Sequence, residues 1–267
     1  MELFGYDFEY AGISSKTYGM IFANVDTSRQ KSLVGQTNII TIFNNRNKKR
    51  HFVDTSYESS ALSFEAEVVC KGEISATNRR QIEKWLFGHT GFQKLYVNSP
   101  DSSEEVDGEV KRLYLNCKFI NPSKVEANGV VGYRFTVECD TFLAWQDSIV
   151  KEYELNQESE FSSMISVDVD SDIGDYVYPK VTIKVGSEGG TILLVNHSDS
   201  STRITQFVDL DPNITIEMNG AINYVSDDNY DKFAYKNFIR LLTGENSIYI
   251  TGNVQTIKLE WQNMRYL

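Results

Sequence analysis

Three aspartates, Asp168, Asp170 and Asp172, alternate with other residues in the stretch Val167–Asp175. Carboxylates at that spacing supply the first ligands of a calcium loop. An EF-hand loop also needs glycine at its sixth position, where the chain turns sharply, and glutamate at its twelfth, where one bidentate carboxylate completes the shell. Counted from Asp168, those positions hold Ile173 and Pro179, so the pattern fails at both diagnostic places. The stretch instead reads as a strand running into a turn. Val167 and Val169 are expected inward, with the aspartates on the wet face or capping the turn.

The other reactive residue types give no constellation either. The three histidines, His51, His89 and His197, are too scattered for a His-x-x-x-His metal pair. His89 follows a helix-like segment, where the helix dipole favours a cation, so a helix-terminal contact is expected in preference to catalysis. Cys70, Cys117 and Cys139 lack the short paired spacings of a zinc knuckle. A period of two places each on the apolar side of its strand, where a free cysteine behaves as a small hydrophobe. No nucleophile elbow, phosphate-binding loop or dinucleotide fingerprint is present. Two carboxylates brought together in space would suit a sugar hydrolase, but no feature nominates a pair. Trp145, Trp261, Tyr176 and Tyr178 have the faces to stack on sugars, though strand aromatics more often fill a core. No catalytic, cofactor-binding or metal-ligating residue is nominated, and no cofactor is expected.

These residues sit in a chain of 267 that is 41% hydrophobic and 12% aromatic, with four prolines, enough to fold around a core. A net charge of −11 repels phosphate backbones and anionic membranes, which argues against nucleic-acid capture as the main task. The acidic start does not resemble a secretory signal, and no run reaches the length of a membrane helix, so synthesis in a cytoplasm is expected. The two N-glycosylation patterns, at Asn196 and Asn213, therefore carry little weight.

Apolar and polar residues alternate in short runs bounded by Gly, Asn, Asp and Ser, the signature of antiparallel strands with one buried face. One segment breaks the pattern. From a cap at Ser75 or Thr77 through Ile82, Trp85 and Leu86 to Gly88, the spacing predicts a helix over about 76–88 with those three residues buried. Ser99–Glu109 carries five carboxylates in eleven residues and reads as a solvated loop. The texture changes near residue 147, giving an N-terminal domain over 1–147 and a C-terminal one over 148–267. In the second, short regular strands indicate a β-sandwich or jelly roll. Asn219-Gly220 predicts a type I′ hairpin turn. Residues 30–52 combine a β-run with Arg46, Lys48, Lys49 and Arg50, as an extended hairpin with a basic tip would.

Five segments, in order, resemble the distal tail proteins of siphophages. They are Phe8–Met20, with its Gly12 and Ser15 turn and Tyr18-Gly19 step; the helix ending Trp85-Leu86-Phe87-Gly88 followed by Leu95-Tyr96-Val97; Phe135–Phe142, in which Thr141 stands where the family has proline; Ser171–Ile183, with Gly174, Asp175 and Pro179; and Phe238–Ile250, with Leu241, Gly244, Asn246 and Ile248. The resemblance implies a non-enzymatic virion protein. Its fold would be mainly β: an N-terminal β-sandwich carrying the helix, then a C-terminal galectin-like β-sandwich. It would form a homohexameric ring at the tail tip, between the tail tube protein and the adhesion or receptor-binding proteins. DNA would pass through the ring without specific binding, and nothing would insert into a membrane. In such proteins the final strand returns to the N-terminal domain, as 256–267 would here. The hairpin would act as a belt on a neighbouring subunit, and Glu104, Glu105 and Asp107 become candidates for the channel wall. The alternative reading is a protein that binds host cell-wall carbohydrate through the C-terminal sandwich.

Overall fold

The computed structural model describes residues 3–25, 36–44, 50–59, 61–155, 162–172, 174, 176–199 and 203–266. The chain divides into two compact units, Met1–Gln146 with Arg265–Leu267, and Asp147–Met264. Both are built almost wholly from antiparallel strands.

The first unit contains β1 (Phe8–Tyr10), β2 (Ile13–Ser14), β3 (Met20–Val25), β4 (Gln36–Asn44), β5 (Arg50–Ser59), β6 (Ser63–Cys70), α1 (Ala76–Phe87), β7 (Gln93–Val97), β8 (Ser103–Val106), β9 (Glu109–Glu126), β10 (Val130–Cys139) and β11 (Ala144–Gln146). A ten-stranded sheet runs in the order β2-β1-β7-β9-β10-β6-β3, with β8 and β11 on β9 and a last short strand, β22 (Met264–Arg265), on β11. Its alternating residues Phe8, Tyr10, Met20, Phe22, Val68, Leu95, Leu115, Phe135 and Val137 form one buried cluster with Ile82, Trp85 and Leu86 of α1. Only a sheet curled around the helix can bring all these strands to one core.

The helix starts where the Ser75 hydroxyl accepts a hydrogen bond from the Asn78 amide at 3.3 Å, which satisfies one of the orphan donors of the first turn. It ends at Gly88, whose N–H donates to the Lys84 carbonyl at 3.0 Å. Trp85 is the anchor. Its ring stacks on Phe8 (centroids 5.7 Å apart, 10° between planes) and Tyr18 (5.4 Å), while Nε1 donates to the Tyr10 carbonyl at 2.8 Å. The β1–β2 turn explains the glycine of the opening motif. Ala11 and Gly12 both take positive φ, 50° and 76°, and the turn brings the buried Ser15 hydroxyl under the Phe8 amide at 2.9 Å.

The second unit contains β12 (Ile149–Glu154), β13 (Ser162–Val169), β14 (Lys180–Val185), β15 (Gly190–Asn196), β16 (Ile204–Leu210), β17 (Thr215–Asn219), β18 (Tyr224–Val225), β19 (Phe233–Lys236), β20 (Gly244–Thr251) and β21 (Val254–Trp261). Two five-stranded sheets run β12-β21-β14-β17-β18 and β13-β20-β15-β16-β19. Consecutive strands hold the same rank in opposite sheets, so the chain crosses repeatedly between two layers of a β-sandwich. Ile183, Ile216, Ile257 and Leu259 from one sheet, and Val167, Ile192, Phe207, Ile248 and Ile250 from the other, are all buried to 0% exposure. Val167 and Val169 lie in this core while Asp168 and Asp170 are exposed.

Several expectations need correction. Ser99–Glu109 is not a loop: β8 and β9 form a tight hairpin through Asp107 (φ 52°) and Gly108 (φ 79°), the dipeptide that a type I′ turn favours. Asn219-Gly220 does not make such a turn. Asn219 is extended (φ −140°) and its carboxamide caps a 3₁₀ turn over Gly220–Ile222, with Asn223 taking the left-handed conformation. The strand Val254–Trp261 stays in the second unit between β12 and β14; the residues that rejoin the first unit are Arg265–Leu267, starting in β22 (Met264–Arg265). Cys117 and Cys139 are buried, and Cys70, though half-buried, packs against the same core as expected. The hairpin expected over 30–52 has its strands at Gln36–Asn44 and Arg50–Ser59, whereas Arg46, Lys48 and Lys49 lie outside the described residues, as do Ile173 and Asp175.

Candidate assembly surfaces

Among the described residues no three His, Cys, Asp or Glu side chains converge as a metal site, and no helix is long and apolar enough to cross a membrane. His89 packs its ring edge-on to Tyr10 at 5.6 Å, and its Nε2 is buried without a hydrogen-bond partner; it is a packing residue. Trp261 is buried and donates to Asn263. Tyr176 lies beneath the Arg240 guanidinium at 3.5 Å. The chemistry of this molecule is concentrated in polar networks and in strand edges.

The densest network ties the second unit together at the C-terminal motif. Asn246, with no exposed surface, accepts hydrogen bonds through Oδ1 from the Leu242 amide and from Asn196 Nδ2, each at 2.8 Å. Its Nδ2 donates to the carbonyls of Leu242 and Gly244 at 2.8 and 2.9 Å. Asparagine alone combines an acceptor and two donors on a stem this short. Asn196 in turn donates to the Arg240 carbonyl at 2.9 Å, and Arg240 makes a two-pronged pair with Asp199 at 2.7 and 3.0 Å. Asp199 and its hydrogen bonds hold the Arg240 pKa above its ordinary value. Burial removes Asn196 from the role its glycosylation pattern would give it. Sequence reasoning singled out Asn246 but missed Asn196, Asp199 and Arg240, which share no spacing signal because β15, β20 and the connection before β20 meet only in the fold.

A second network fixes the acidic hairpin. Glu104 accepts from Arg265 Nε at 2.8 Å and from Gln146 Nε2 at 2.9 Å, so this carboxylate is committed to holding the C-terminal residues on the first unit. Of the three carboxylates expected on a channel wall, Glu105 and Asp107 are exposed and Glu104 is half-buried.

The face of the large sheet opposite the core is self-covering. Glu9, Tyr96 and Tyr114 stand in register across β1, β7 and β9, and Trp145 of β11 continues the row. Arg112 lies over the Tyr96 ring at 3.9 Å and Lys94 over Tyr114 at 4.1 Å, and Arg112 pairs with Glu9 at 3.2 Å. The aliphatic stems bury both rings while the charged heads stay wet. Farther across, Arg134 pairs with Glu67 at 2.7 Å.

The edges are different. One end of the sheet is β2, only two residues long, which offers little to a partner. The other is β3, six residues long, whose outer side is partly covered: the Phe22 carbonyl accepts from the Gly5 amide at 2.8 Å and the Phe22 amide donates to the Tyr6 carbonyl at 3.1 Å. Beside it Tyr18, Ile21, Val69, Ile74 and Ile82 line a groove of about 490 Å³, and Ile21 is 41% exposed. Meanwhile, among the described residues, β4 and β5 pair only with each other, over nine and ten residues. A two-stranded ribbon is marginal in water by itself, and an open edge is a template for strand pairing. The unit thus carries both an extended ribbon and, at the end of its sheet, a partly covered strand beside an apolar groove.

No curated protein matches the chain. Among solved structures, the fold is similar to the Dit protein of phage SPP1, described as a paradigm of the hub adsorption apparatus in phages infecting Gram-positive bacteria: TM-score 0.63 at 11% identity, covering 97% of this chain and 98% of that one. It is also similar to a chain of the phage P2 baseplate in its activated conformation with calcium, with TM-score 0.56 at 8% identity over 97% of this chain and 98% of the other. At such identities the likeness is one of fold, and it spans both units. Family models add sequence-level matches: residues 4–141 match the N-terminal domain of a phage tail protein, and residues 143–261 match a phage tail C-terminal domain. With more than half of its length matched by the first model alone, the chain belongs to this phage tail protein family.

Proposed function

We propose that this protein is a distal tail hub: a ring of identical subunits at the tip of a long non-contractile tail, joining the tail tube to the host-adhesion apparatus and leaving a channel for DNA. The observation that carries the reading is coextensive fold. Both units, in order, correspond to nearly the whole of a protein described as an adsorption hub, with neither unit missing and no large addition.

The physical features fit that role. Closed rings of identical subunits use heterologous contacts, in which one surface meets a different surface of the next copy. A ribbon that pairs, among the described residues, only with itself and the apolar groove beside β3 with its exposed Ile21 are two such unlike surfaces on one chain. The net charge of −11 suits a conduit, since a wall that attracted phosphates would retain the genome it must release. Exposed Glu105 and Asp107 are the residues proposed for that wall. As a scaffold the protein performs no catalysis and requires no cofactor. Its partners are further copies of itself, the tail tube protein and the adhesion proteins, and its place is the virion.

Antibody raised against the purified chain tests the placement. Gold-labelled antibody should decorate one end of the tail, distal to the capsid. Label along the tail shaft, on the capsid or on no part of the particle would contradict it.

A further inference from the structure

Cys117 of β9 and Cys139 of β10 are direct cross-strand partners in the large sheet. Both are free thiols and both are buried, at 0% and 4% exposure. The backbone hydrogen bonds show which kind of pair they form. The Asp140 amide donates across the β9–β10 seam to the Asn116 carbonyl at 2.9 Å, whereas the Cys139 amide turns away from β9 to the Leu62 carbonyl at 2.9 Å. Successive residues of a strand address opposite neighbours, so Cys117 and Cys139 occupy a non-hydrogen-bonded position. Side chains approach most closely at such positions, where Cα atoms lie about 4.5 Å apart. That separation is at the near end of the roughly 4.4–6.8 Å that a disulfide spans. The two side chains already interact with one another, whereas Cys70 bonds to the carbonyls of Gly72 and Val131 and takes no part.

We propose that Cys117 and Cys139 are a latent cross-strand disulfide, formed by exchange with a small disulfide oxidant and bolting β9 to β10 at the end of the first unit. One thiolate attacks a sulfur of the oxidant, expelling one thiolate and leaving a mixed disulfide on the protein. The second cysteine, deprotonated, attacks the protein sulfur of that intermediate and expels the other half. Two protons leave the protein thiols, and two electrons pass to the oxidant, which ends as two thiols. A tail component leaves the reducing interior of the cell in which it is made, which supplies an occasion for the reaction; the geometry stands without that reading. Burial, and then the neighbouring Cys139, hold the Cys117 thiol well above its ordinary pKa. Exchange should therefore be slow at neutral pH and faster in mild alkali.

The test is incubation of the full chain with oxidised glutathione at about pH 8.5, both in buffer and in urea below the unfolding transition, where strand ends open. Intact mass should fall by about 2 Da for the two hydrogens lost. Thiols titrated after denaturation should drop from three to one, and a digest should yield one peptide pair joined through Cys117 and Cys139. The unfolding midpoint should rise by roughly 5–10 °C. Cys70→Ser should behave identically with one thiol fewer, and Cys139→Ala should lose both the mass change and the rise. Three thiols remaining under both conditions, a bond through Cys70, or a persistent glutathione adduct would overturn the proposal.

Discussion

At the scale of single residues, Asn246 is the most demanding position in the molecule. Its carboxamide meets the carbonyls of Leu242, Gly244 and Val167 as acceptors and the Leu242 amide and Asn196 Nδ2 as donors. Removing it strands several buried backbone groups, each costing about 1–3 kcal/mol when unsatisfied. Asn246→Ala should thus lower stability of the second unit by about 2–4 kcal/mol in urea unfolding. Asn246→Asp should be no better, because it turns an oxygen on two carbonyls. A residue of opposite character is Asp7. Burial raises its pKa, but hydrogen bonds from Asn98 and Lys16, with the Lys16 charge, outweigh this and leave it below the ordinary 3.8. A depressed carboxylate contributes stability that is present above the unfolded value and lost as pH falls through the folded one. Asp7→Asn should therefore be less stable than the parent at neutral pH, with the gap closing below pH 3.8; thermal unfolding at neutral and acidic pH measures it. The inward valines and outward aspartates of Val167–Asp170 were legible from alternation alone. The partners of Asn246 were not, because nothing local links Asn196 or Asp199 to a residue some fifty positions away.

Elements were legible where a single local rule governs them. The helix runs Ala76–Phe87 and buries Ile82, Trp85 and Leu86, because capping and a 3.6-residue apolar stripe act within one segment. Trp85→Ala should cost about 3–5 kcal/mol. Trp85→Phe should cost about 1–2 kcal/mol, since it keeps the stack on Phe8 but leaves the Tyr10 carbonyl unbonded; chemical denaturation distinguishes them. Where two local signals compete, the reading failed. The acidic run at 101–109 suggested a solvated loop, yet Asp107-Gly108 within it dictates a hairpin whose carboxylates are tolerated because the ribbon is largely wet. Asn219-Gly220 carried the hairpin signal, but the Asn219 carboxamide prefers to cap the Ala221 amide at 3.0 Å, and the reversal moves on to Asn223. The ribbon of β4 and β5 is the element proposed to act outside its own chain. Excising 36–59 in favour of a short linker should leave a folded, soluble monomer with near-parent helix and strand signals in circular dichroism, but should abolish ring formation in light scattering.

For the whole molecule, alternation of apolar residues established two β units, while the ten-stranded curl of the first and the matched ranks of the second depend on pairings across long sequence distances. The return of Arg265 to Glu104 spans 161 residues, beyond any local signal. What the chain offers to others follows from what it leaves unfinished. Lys94 and Arg112 cover Tyr114 and Tyr96 on the outer sheet face, while the groove beside β3 and a ribbon that pairs, among the described residues, with itself remain. The central claim is that these complete one another between copies in a closed ring. Size-exclusion chromatography with light scattering, joined to negative-stain images of the same fraction, tests it most directly, with the tail tube protein added in a parallel run. The account predicts a species of about six chain masses, seen as a ring with an open centre. A chain that stays monomeric at micromolar concentration in both runs, or that forms open filaments, would contradict it.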